Sequence, residues 1–315
     1  MDRDRRTDRV PRGLARGGGP RPFVGLRRGG LVVLASVGGG CVDLASSNAV
    51  VGVVASPALA STATWVGAPG GPIQAIAFAD FDRDGDLDLA IATGAGSPVR
   101  VERAAGGLDG LPLVLDEEDD ARDVAWGDLD GDGFPDLAVA VMGGNPRVHW
   151  NVGGTHFDPL PWEAAAPVDA SSVALLDWDG DGWLDLAVGS IDGPVHLHRN
   201  VAGLLDASPT WTSLESYATW DLVAGDADHD GVVELAVIND VDAVAFLGRS
   251  QILRPAPGTA APQLVATLAP FDDSRAAVWA DVDGDDLLDL FVVNDAGPQR
   301  LHRWDADSLL LEASA

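Results

Sequence analysis

Five acidic nine-residue segments recur along the chain at nearly constant spacing. They begin at Asp80, Asp128, Asp177, Asp226 and Asp281, which are 48, 49, 49 and 55 residues apart, and we call them loops 1 to 5. A repeat period of this size is typical of β-propellers, in which each repeat forms one four-stranded blade. The spacing therefore predicts an all-β fold, a β-propeller of repeated four-stranded blades with at least five blades.

Short apolar runs flank each loop and predict the strands of each blade. The runs after the loops, LDLAIAT, PDLAVAV, LDLAVGS, VELAVIN and LDLFVVN, are short and rich in β-branched residues, which favours strands over helices. Each loop is also preceded by an apolar strand, which ends at Ala79, Gly127, Leu176, Gly225 or Ala280. Third strands are predicted at VRVER, VHWNV, VHLHR, VAFLG and QRLHR, and more variable fourth strands at LPLVL, PTWTSL and LLLEASA.

The loops follow the pattern D-x-D-x-D-G-x-x-D, which is suited to one hard cation. Carboxylates at alternate positions of a tight turn converge on one centre, and Ca²⁺ takes six to eight oxygen ligands. Position 7 would contribute its backbone carbonyl, and Mg²⁺ is less suitable because it resists full dehydration. The loops predict up to five calcium sites, formed by Asp80, Asp82, Asp84, Asp86 and Asp88; Asp128, Asp130, Asp132, Phe134 and Asp136; Asp177, Asp179, Asp181, Trp183 and Asp185; Asp226, Asp228, Asp230, Val232 and Glu234; and Asp281, Asp283, Asp285, Leu287 and Asp289.

Helical calcium motifs are excluded by the residues that follow the loops. An EF-hand needs a bidentate Glu at position 12 and then a helix. Here position 12 holds only apolar residues inside strand-like runs, namely Ile91, Val139, Val188, Val237 and Val292. The same observation excludes a helical dockerin.

The repeated unit of strand, acidic loop, strand, Gly/Asn turn and strand resembles the FG-GAP or VCBS repeat of integrin α-subunit propellers and many secreted bacterial proteins. The resemblance covers residues 62–315 and rests on five loops in register. It implies a propeller whose calcium-binding loops brace the blades, and it implies no single activity. Propellers of this family typically have seven blades, and the segment Thr62–Val66 is a candidate outer strand that would close the ring with the last blade.

The five loops differ in ways that affect ion binding. Loop 1 carries an additional carboxylate at Asp86, and loop 4 has Glu234 at position 9. Loop 5 has Asp286 at position 6, where the other loops have glycine, so a residue with a β-carbon must adopt a backbone conformation that favours glycine. We therefore expect loop 5 to bind calcium most weakly.

Charge and cysteine content limit the partners. The formal net charge is −29, and the loops hold nearly half of the 49 acidic residues. An acidic surface repels phosphates, so we expect no nucleic-acid partner. A single cysteine excludes an intrachain disulfide, and we expect a monomer stabilised by metal.

The amino-terminal region is typical of an export segment. Residues 1–41 contain nine arginines between Arg3 and Arg28, then an apolar run and three glycines before Cys41. The apolar run is too short to span a bilayer. Cys41 resembles the lipidated cysteine of bacterial lipoproteins, whereas Ala58-Leu59-Ala60 offers an alternative cleavage site. Residues 42–61 would then be a small-residue tether or signal remnant, and residues 62–315 would form the propeller. The protein is expected to be secreted or located at the cell surface. One form of the second alternative is an outer-envelope lipoprotein with a lipid anchor at Cys41.

No catalytic motif was found in the sequence, so no catalytic residue and no organic cofactor is assigned. Four histidines fall on predicted third strands, which favours a structural role, and His196 and His198 are the two candidates for a ligand site. Trp178 and Trp183 lie within loop 3, where they would either stack on a sugar or pack between blades. The residue two positions before each loop, such as Trp126 or Trp279, is expected to lie in the hydrophobic core.

Two classes of function remain. The leading interpretation is an adhesion or binding module for a protein or polysaccharide, with structural calcium in the blade loops. The alternative is a carbohydrate-active, lyase-like enzyme on a calcium-bearing propeller. Convergent acid, base and substrate-binding residues in one pocket would favour the enzyme.

Overall fold

The computed structural model describes residues 32–35, 42–45, 71–94, 96–104, 111–115, 120–240, 249–256, 261–268, 273–305 and 308–313. Within these ranges the chain forms five four-stranded antiparallel sheets and three two-stranded hairpins, without a helix. Each sheet contains one acidic loop, so the five predicted repeats are five blades of an all-β propeller.

The strands follow the chain from the inner to the outer edge of each blade. An amino-terminal hairpin pairs β1 (Val32–Ala35) with β2 (Val42–Ala45), and β2 lies beside the strand Asp273–Ala280. Blade 1 comprises β3 (Ile73–Ala79), β4 (Asp88–Thr93), β5 (Arg100–Glu102) and β6 (Leu113–Val114). Blade 2 comprises β7 (Asp120–Gly127), β8 (Asp136–Met142), β9 (Arg147–His149) and β12 (Trp162–Glu163), with the hairpin β10 (Asn151–Val152) and β11 (His156–Phe157) inserted.

The remaining blades repeat this order. Blade 3 comprises β13 (Ala170–Leu176), β14 (Asp185–Ser190), β15 (His196–His198) and β18 (Trp211–Thr212), with the hairpin β16 (Asn200–Val201) and β17 (Leu204–Leu205). Blade 4 comprises β19 (Thr219–Gly225), β20 (Glu234–Asn239), β21 (Gln251–Pro255) and β22 (Pro262–Thr267). Blade 5 comprises β23 (Asp273–Ala280), β24 (Asp289–Ala296), β25 (Arg300–Asp305) and β26 (Ser308–Ala313).

One strand prediction was wrong. The third strand of blade 4 is Gln251–Pro255, which pairs with β20, and not VAFLG at residues 244–248. Those residues lie outside the described part of the chain, as do Cys41, the cleavage site at Ala60 and the proposed closing strand Thr62–Val66. The segment LLLEASA does supply the outer strand of blade 5.

Small and large side chains on opposite faces of the blades set how neighbouring blades pack. Ala138 and Ala140 of blade 2 are fully buried against Val173, Leu186 and Val188 of blade 3. The same arrangement joins blade 1 to blade 2, where alanines of β3 and β4 meet Val124, Leu137, Val139 and Val141. Because alanine brings two sheets close together while the facing branched side chains fill the space, each blade fits the next in one orientation.

Polar side chains at a bulge of each inner strand add contacts between blades. A carboxylate or hydroxyl of one blade accepts a hydrogen bond from a backbone N–H of the next. The three pairs are Asp123 with Val173 (3.0 Å), Ser172 with Leu222 (3.1 Å) and Asp221 with Ala277 (2.9 Å).

The strand order divides the propeller into two edges. The five acidic loops connect inner to second strands, and the hairpins β10–β11 and β16–β17 follow the third strands. All of these connections lie at one edge, which we call the loop edge. The turns between second and third strands and the connections to the next inner strand lie at the opposite edge, which we call the turn edge. In the described residues no helix has the length and apolarity needed to cross a membrane.

The tight blade packing predicts that Ala138→Leu destabilises the protein. The side chain is fully buried between blades, so added methyl groups should reduce the free energy of unfolding by about 1–3 kcal/mol. Urea unfolding measures the effect, with Ala165→Leu at an exposed position as the control. Equal stability of the two variants would contradict the packing scheme.

Candidate metal centres

Carboxylate oxygens converge in all five loops. In loops 1 to 3 the converging residues occupy positions 1, 3 and 9, and in loops 4 and 5 they occupy positions 1, 3 and 5. Within each group one oxygen of each residue lies within 4.8 Å of the others; the groups are Asp80, Asp82 and Asp88; Asp128, Asp130 and Asp136; Asp177, Asp179 and Asp185; Asp226, Asp228 and Asp230; and Asp281, Asp283 and Asp285. These clusters could hold metal ions.

The donor set fits a hard cation. Every side-chain donor in the clusters is a carboxylate oxygen, which is the ligand type of Ca²⁺ and Mg²⁺. Two of these oxygens, Asp80 Oδ1 and Asp226 Oδ1, are buried and have no hydrogen-bond partner among the described residues. A buried carboxylate oxygen without a donor is costly, and a bound cation would satisfy it.

Backbone amides hold the carboxylates of each loop in place. In loop 3 the Asp181 N–H donates to Asp179 Oδ1 (3.2 Å), the Trp183 N–H to Asp181 Oδ1 (3.0 Å) and the Gly182 N–H to Asp177 Oδ2 (2.9 Å). The position-7 N–H donates to the position-5 carboxylate in every loop. Because each carboxylate oxygen carries two lone pairs, these bonds leave lone pairs for an ion.

Two residues of each loop adopt left-handed backbone conformations. Position 6 was predicted to do so, and Gly182 has a φ of 91° while Asp286 has a φ of 71°. Position 4 was missed, although Arg83 and His229 have φ values of 62° and 56°. The sequence does indicate a left-handed conformation at position 4, because three of the five loops have glycine there, namely Gly131, Gly180 and Gly284.

The carboxylate at position 9 is also a structural centre of its blade. Asp136 is fully buried, and its two oxygens accept hydrogen bonds from the Leu129 N–H (2.9 Å) and the Asn151 N–H (2.8 Å). The first donor belongs to loop position 2 and the second follows the third strand. Asp88, Asp185 and Asp289 make the same pair of bonds in blades 1, 3 and 5. The motif predicted only a ligand here, because the second donor lies outside the loop.

Burial changes the acidity of the position-9 carboxyls. Desolvation, reinforced by the neighbouring loop carboxylates and opposed by the two backbone N–H donors, raises the pKa of Asp136 and of Asp185 to about 7. Burial likewise raises the pKa of Glu234 to about 7. A cation at the site would favour the charged forms of these groups.

Loops 1 and 2 also contact the next blade. The Arg83 guanidinium of loop 1 lies 5.1 Å from the centre of the Phe134 ring of loop 2. The Trp183 ring of loop 3 covers Gly131 of loop 2 so closely that a β-carbon there would lie 2.7 Å from it. The Asn151 side chain donates to the Phe81 carbonyl of loop 1, and Asn200 does the same to loop 2. Order in one loop is thereby coupled to the packing of the next blade.

The structure decides between the alternatives for the aromatic residues. Trp178 is only 2% exposed, so the sugar-stacking hypothesis is wrong for this residue. Trp183 packs against the preceding loop, as the inter-blade alternative predicted. Trp126 and Trp279 are packed in the core as expected, and their indole N–H groups also donate to the Ala77 and Val223 carbonyls of the preceding blade.

The histidines of the third strands are largely structural. His149, His198 and His302 are buried, and His198 Nδ1 lies 2.9 Å from the Asp206 carbonyl oxygen. The His196 and His198 rings are 6.4 Å apart, and burial lowers the pKa of both.

Two arginines within or directly after third strands, Arg199 and Arg303, each pair with the acidic loop of their own blade. Arg199 contacts Asp179 and Asp181, and Arg303 contacts Asp283 at 3.0 Å. Arg254 contacts loop 4 in the same way and was not singled out from the sequence.

Comparison with known proteins identifies the repeat and supports the fold. The FG-GAP-like repeat family matches residues 128–188 and 177–237. The crystal structure of BBS1N in complex with ARL6DN, soaked with mercury, is 15% identical with a TM-score of 0.50, and the match covers 76% of this chain and 65% of that chain. The chain thus spans less than two thirds of the length of that protein.

A second solved structure and a search of curated sequences complete the comparison. A humanized mutant of the Chaetomium thermophilum Polycomb Repressive Complex 2 bound to the inhibitor GSK126 is 11% identical with a TM-score of 0.47, over 75% of this chain and 51% of that chain. No curated protein matches the sequence.

The backbone strain at position 6 predicts that Asp286→Gly stabilises loop 5. Glycine adopts the φ of 71° without the penalty of a β-carbon, so the free energy of unfolding of the calcium-free protein should rise by about 0.5–1 kcal/mol. In loop 3 the uncharged change Gly182→Ala should lower it, since a β-carbon at Gly182 would meet no neighbouring atom and only backbone strain would act. Urea unfolding of both variants measures the effect; a loss of stability in Asp286→Gly would contradict the assignment.

The raised pKa values predict how the calcium-free protein responds to pH. A carboxyl whose pKa rises from 3.8 to about 7 on folding binds its proton more tightly in the folded state. Its stabilising effect is complete below the ordinary pKa and is lost as the pH rises through about 7. The melting temperature in chelator should therefore fall between pH 5 and pH 7.5, and saturating calcium should reduce this fall. A chelated protein that gains stability over this interval would refute the prediction.

Proposed function

Because this chain carries FG-GAP-like repeats on an all-β propeller, we propose that it is a calcium-braced binding module, secreted or tethered at the cell surface. The observation that carries the proposal is the convergence of three carboxylates in each of five loops at one edge. Each group of carboxylates is coupled to its own third strand or to the next blade. A cation there stabilises the shape of the propeller, and the rest of the surface is free to bind a partner.

Calcium is the cation that the donor set favours. In the proposed sites the side chains at positions 1, 3, 5 and 9 and the position-7 carbonyl supply the oxygens, and the convergence of three carboxylates in each loop supports this. Ca²⁺ accepts six to eight oxygens in flexible geometry, whereas Mg²⁺ keeps several waters and demands an octahedron. The bound ion would neutralise carboxylates that otherwise repel one another, so ion binding and folding are coupled.

The proposed location outside the cell agrees with the electrostatics of the loops. Extracellular modules bind calcium with dissociation constants of about 10⁻⁴–10⁻³ M, which extracellular calcium can saturate. A chain of net charge −29 gains from such neutralisation. The arginine-rich amino terminus and Cys41 supply the proposed export segment and the lipid-anchoring residue.

The partner, a protein or a polysaccharide, is proposed to bind at the turn edge. The loop edge is occupied by contacts that brace the blades, whereas the turn edge carries a charged aromatic cluster at blades 4 and 5. There the Arg275 guanidinium lies 4.3 Å from the centre of the Trp220 ring and pairs with Asp240 (2.9 Å), Asp273 (3.0 Å) and Asp295 (3.7 Å). An aromatic ring among hydrogen-bonding groups is suited to sugar or peptide recognition.

Binding to an array of glycans and surface proteins tests the proposal. We expect calcium-dependent retention of at least one ligand, without formation of a product. Trp220→Leu should weaken that binding at least about tenfold, because an aromatic contact at an interface centre commonly contributes over 1.4 kcal/mol. The control is Trp211→Leu, a half-exposed tryptophan on the outer strand of blade 3. No ligand in calcium, or cleavage of a glycan, would contradict a binding module.

A further inference from the structure

Arginines face loops 3, 4 and 5, and the guanidinium that faces loop 4 contacts more carboxylates than those that face loops 3 and 5. Arg254 Nη2 lies 2.7 Å from Asp230 Oδ2, Nη1 lies 3.6 Å from Asp228 Oδ2, and Nε lies 3.6 Å from Glu234 Oε1. One side chain therefore contacts three of the four carboxylates of the loop. The Arg254 side chain is 23% exposed and the Glu234 side chain is fully buried, so the contact with Glu234 is shielded from solvent.

The strand register shows which residues of the other blades are equivalent to Arg254. In blade 4, Leu253 of the third strand pairs with Leu235 of the second strand. The equivalent pairs are His198 with Leu186 in blade 3 and His149 with Leu137 in blade 2. The residue after each is equivalent: Arg254 in blade 4, Arg199 in blade 3 and Trp150 in blade 2, and the same register gives Arg303 in blade 5 and Arg103 in blade 1. Blade 2 thus has no arginine at this position, while Arg199 contacts two carboxylates of loop 3 rather than three and Arg303 contacts Asp283 of loop 5.

A missing backbone donor explains why loop 4 needs the arginine. In blades 1, 2, 3 and 5 the second residue after the paired position donates its N–H to the position-9 carboxylate, as Asn200 does to Asp185 (2.7 Å). The equivalent residue in blade 4 is Pro255, which has no N–H. Glu234 Oε2 still accepts from the Ala227 N–H (2.9 Å), but Oε1 has no hydrogen-bond partner among the described residues and faces Arg254.

The position-9 residue of loop 4 is also displaced from the cluster. Asp88, Asp136 and Asp185 each belong to the converging group of their loop, whereas Glu234 of loop 4, like Asp289 of loop 5, does not, and Asp230 takes the third place in loop 4. Asp230 Oδ2 is in turn bonded to Arg254. Two substitutions are therefore specific to blade 4, Glu at position 9 and Pro255 in place of an N–H donor, and Arg254 faces the carboxylate oxygen that lost its donor.

We propose that Arg254 is a built-in counter-cation, so that loop 4 keeps its fold without calcium and binds the ion at least about tenfold more weakly than loop 2. The proposal rests on calcium binding by the other loops. It also changes the ranking expected from the sequence, in which loop 5 was the weakest. The guanidinium competes for the same oxygens as the ion, and its positive charge repels Ca²⁺.

Calcium titration of the chelator-stripped full chain by isothermal calorimetry tests the proposal, with Arg254→Met as the variant. Methionine keeps an apolar stem and removes the charge. We expect the variant to bind one more calcium ion in the range where the other loops bind, to melt at a lower temperature in chelator, and to gain more from calcium. Arg147→Met is the control, because Arg147 pairs with Glu163 away from the loops. Unchanged calcium stoichiometry and affinity in Arg254→Met would overturn the proposal.

A second pair of variants keeps the test decisive if Arg254→Met does not fold. Asp226→Asn and Asp128→Asn change the same position in loops 4 and 2. The calcium-dependent rise in melting temperature should stay as large as that of the unsubstituted protein in Asp226→Asn and decrease in Asp128→Asn. Equal decreases would overturn the role of Arg254. No calcium binding by the unsubstituted protein would instead refute the proposed calcium bracing itself, so the two failures are distinguishable.

Discussion

Mutual repulsion among carboxylates is the constraint on which the rest of this structure depends. Each loop places four or five acidic residues within nine positions, and three of their oxygens come within 4.8 Å of one another. At such distances like charges oppose folding unless a cation, a proton or a hydrogen-bond donor compensates for them. Backbone amides compensate for part of the charge, and burial raises the pKa of Asp136 and Asp185 to about 7. A bound cation is the remaining means of compensation for the buried, unpaired oxygens.

This local constraint extends to the whole propeller through the position-9 carboxylate. In loop 2 it joins the loop to the chain after the third strand, while its neighbour Asn151 donates to loop 1. The aromatic residues at position 7, Phe134 and Trp183, cover the preceding loop. An ion in one loop therefore stabilises its own blade and the fit of the next. The alanine faces of the blades permit this close approach.

The repeat period made most of the fold predictable. The spacing of the loops and the strand patterns on either side of them predicted five blades, and the position of Gly182 predicted a left-handed turn. The prediction of the third strand of blade 4 was wrong. VAFLG has the alternation of a strand, whereas the segment that pairs with the second strand is Gln251–Pro255. Sequence alone does not specify which of two candidate segments within a longer repeat joins the sheet.

The site was less predictable because its support comes from residues distant in sequence. The motif identifies the acidic ligands, but not that Asp136 accepts hydrogen bonds from beyond the loop. The role of Arg254 is evident only from the structure, in which its side chain lies beside Glu234. The strand register also shows that Pro255 stands where the other blades have an N–H donor. The sequence also did not predict that Trp178 is buried, because this residue lies within an acidic loop.

Thermal unfolding of the chelator-treated protein, with and without millimolar calcium, tests the central claim most directly. If cations compensate for the loop carboxylates, calcium should raise the unfolding midpoint markedly. At 100-fold excess over its dissociation constant, the ion at each independent site should add about 2.7 kcal/mol to the free energy of unfolding. Magnesium at the same concentration should have a smaller effect. An unchanged midpoint in calcium would show that the loops fold without an ion, which would contradict the account.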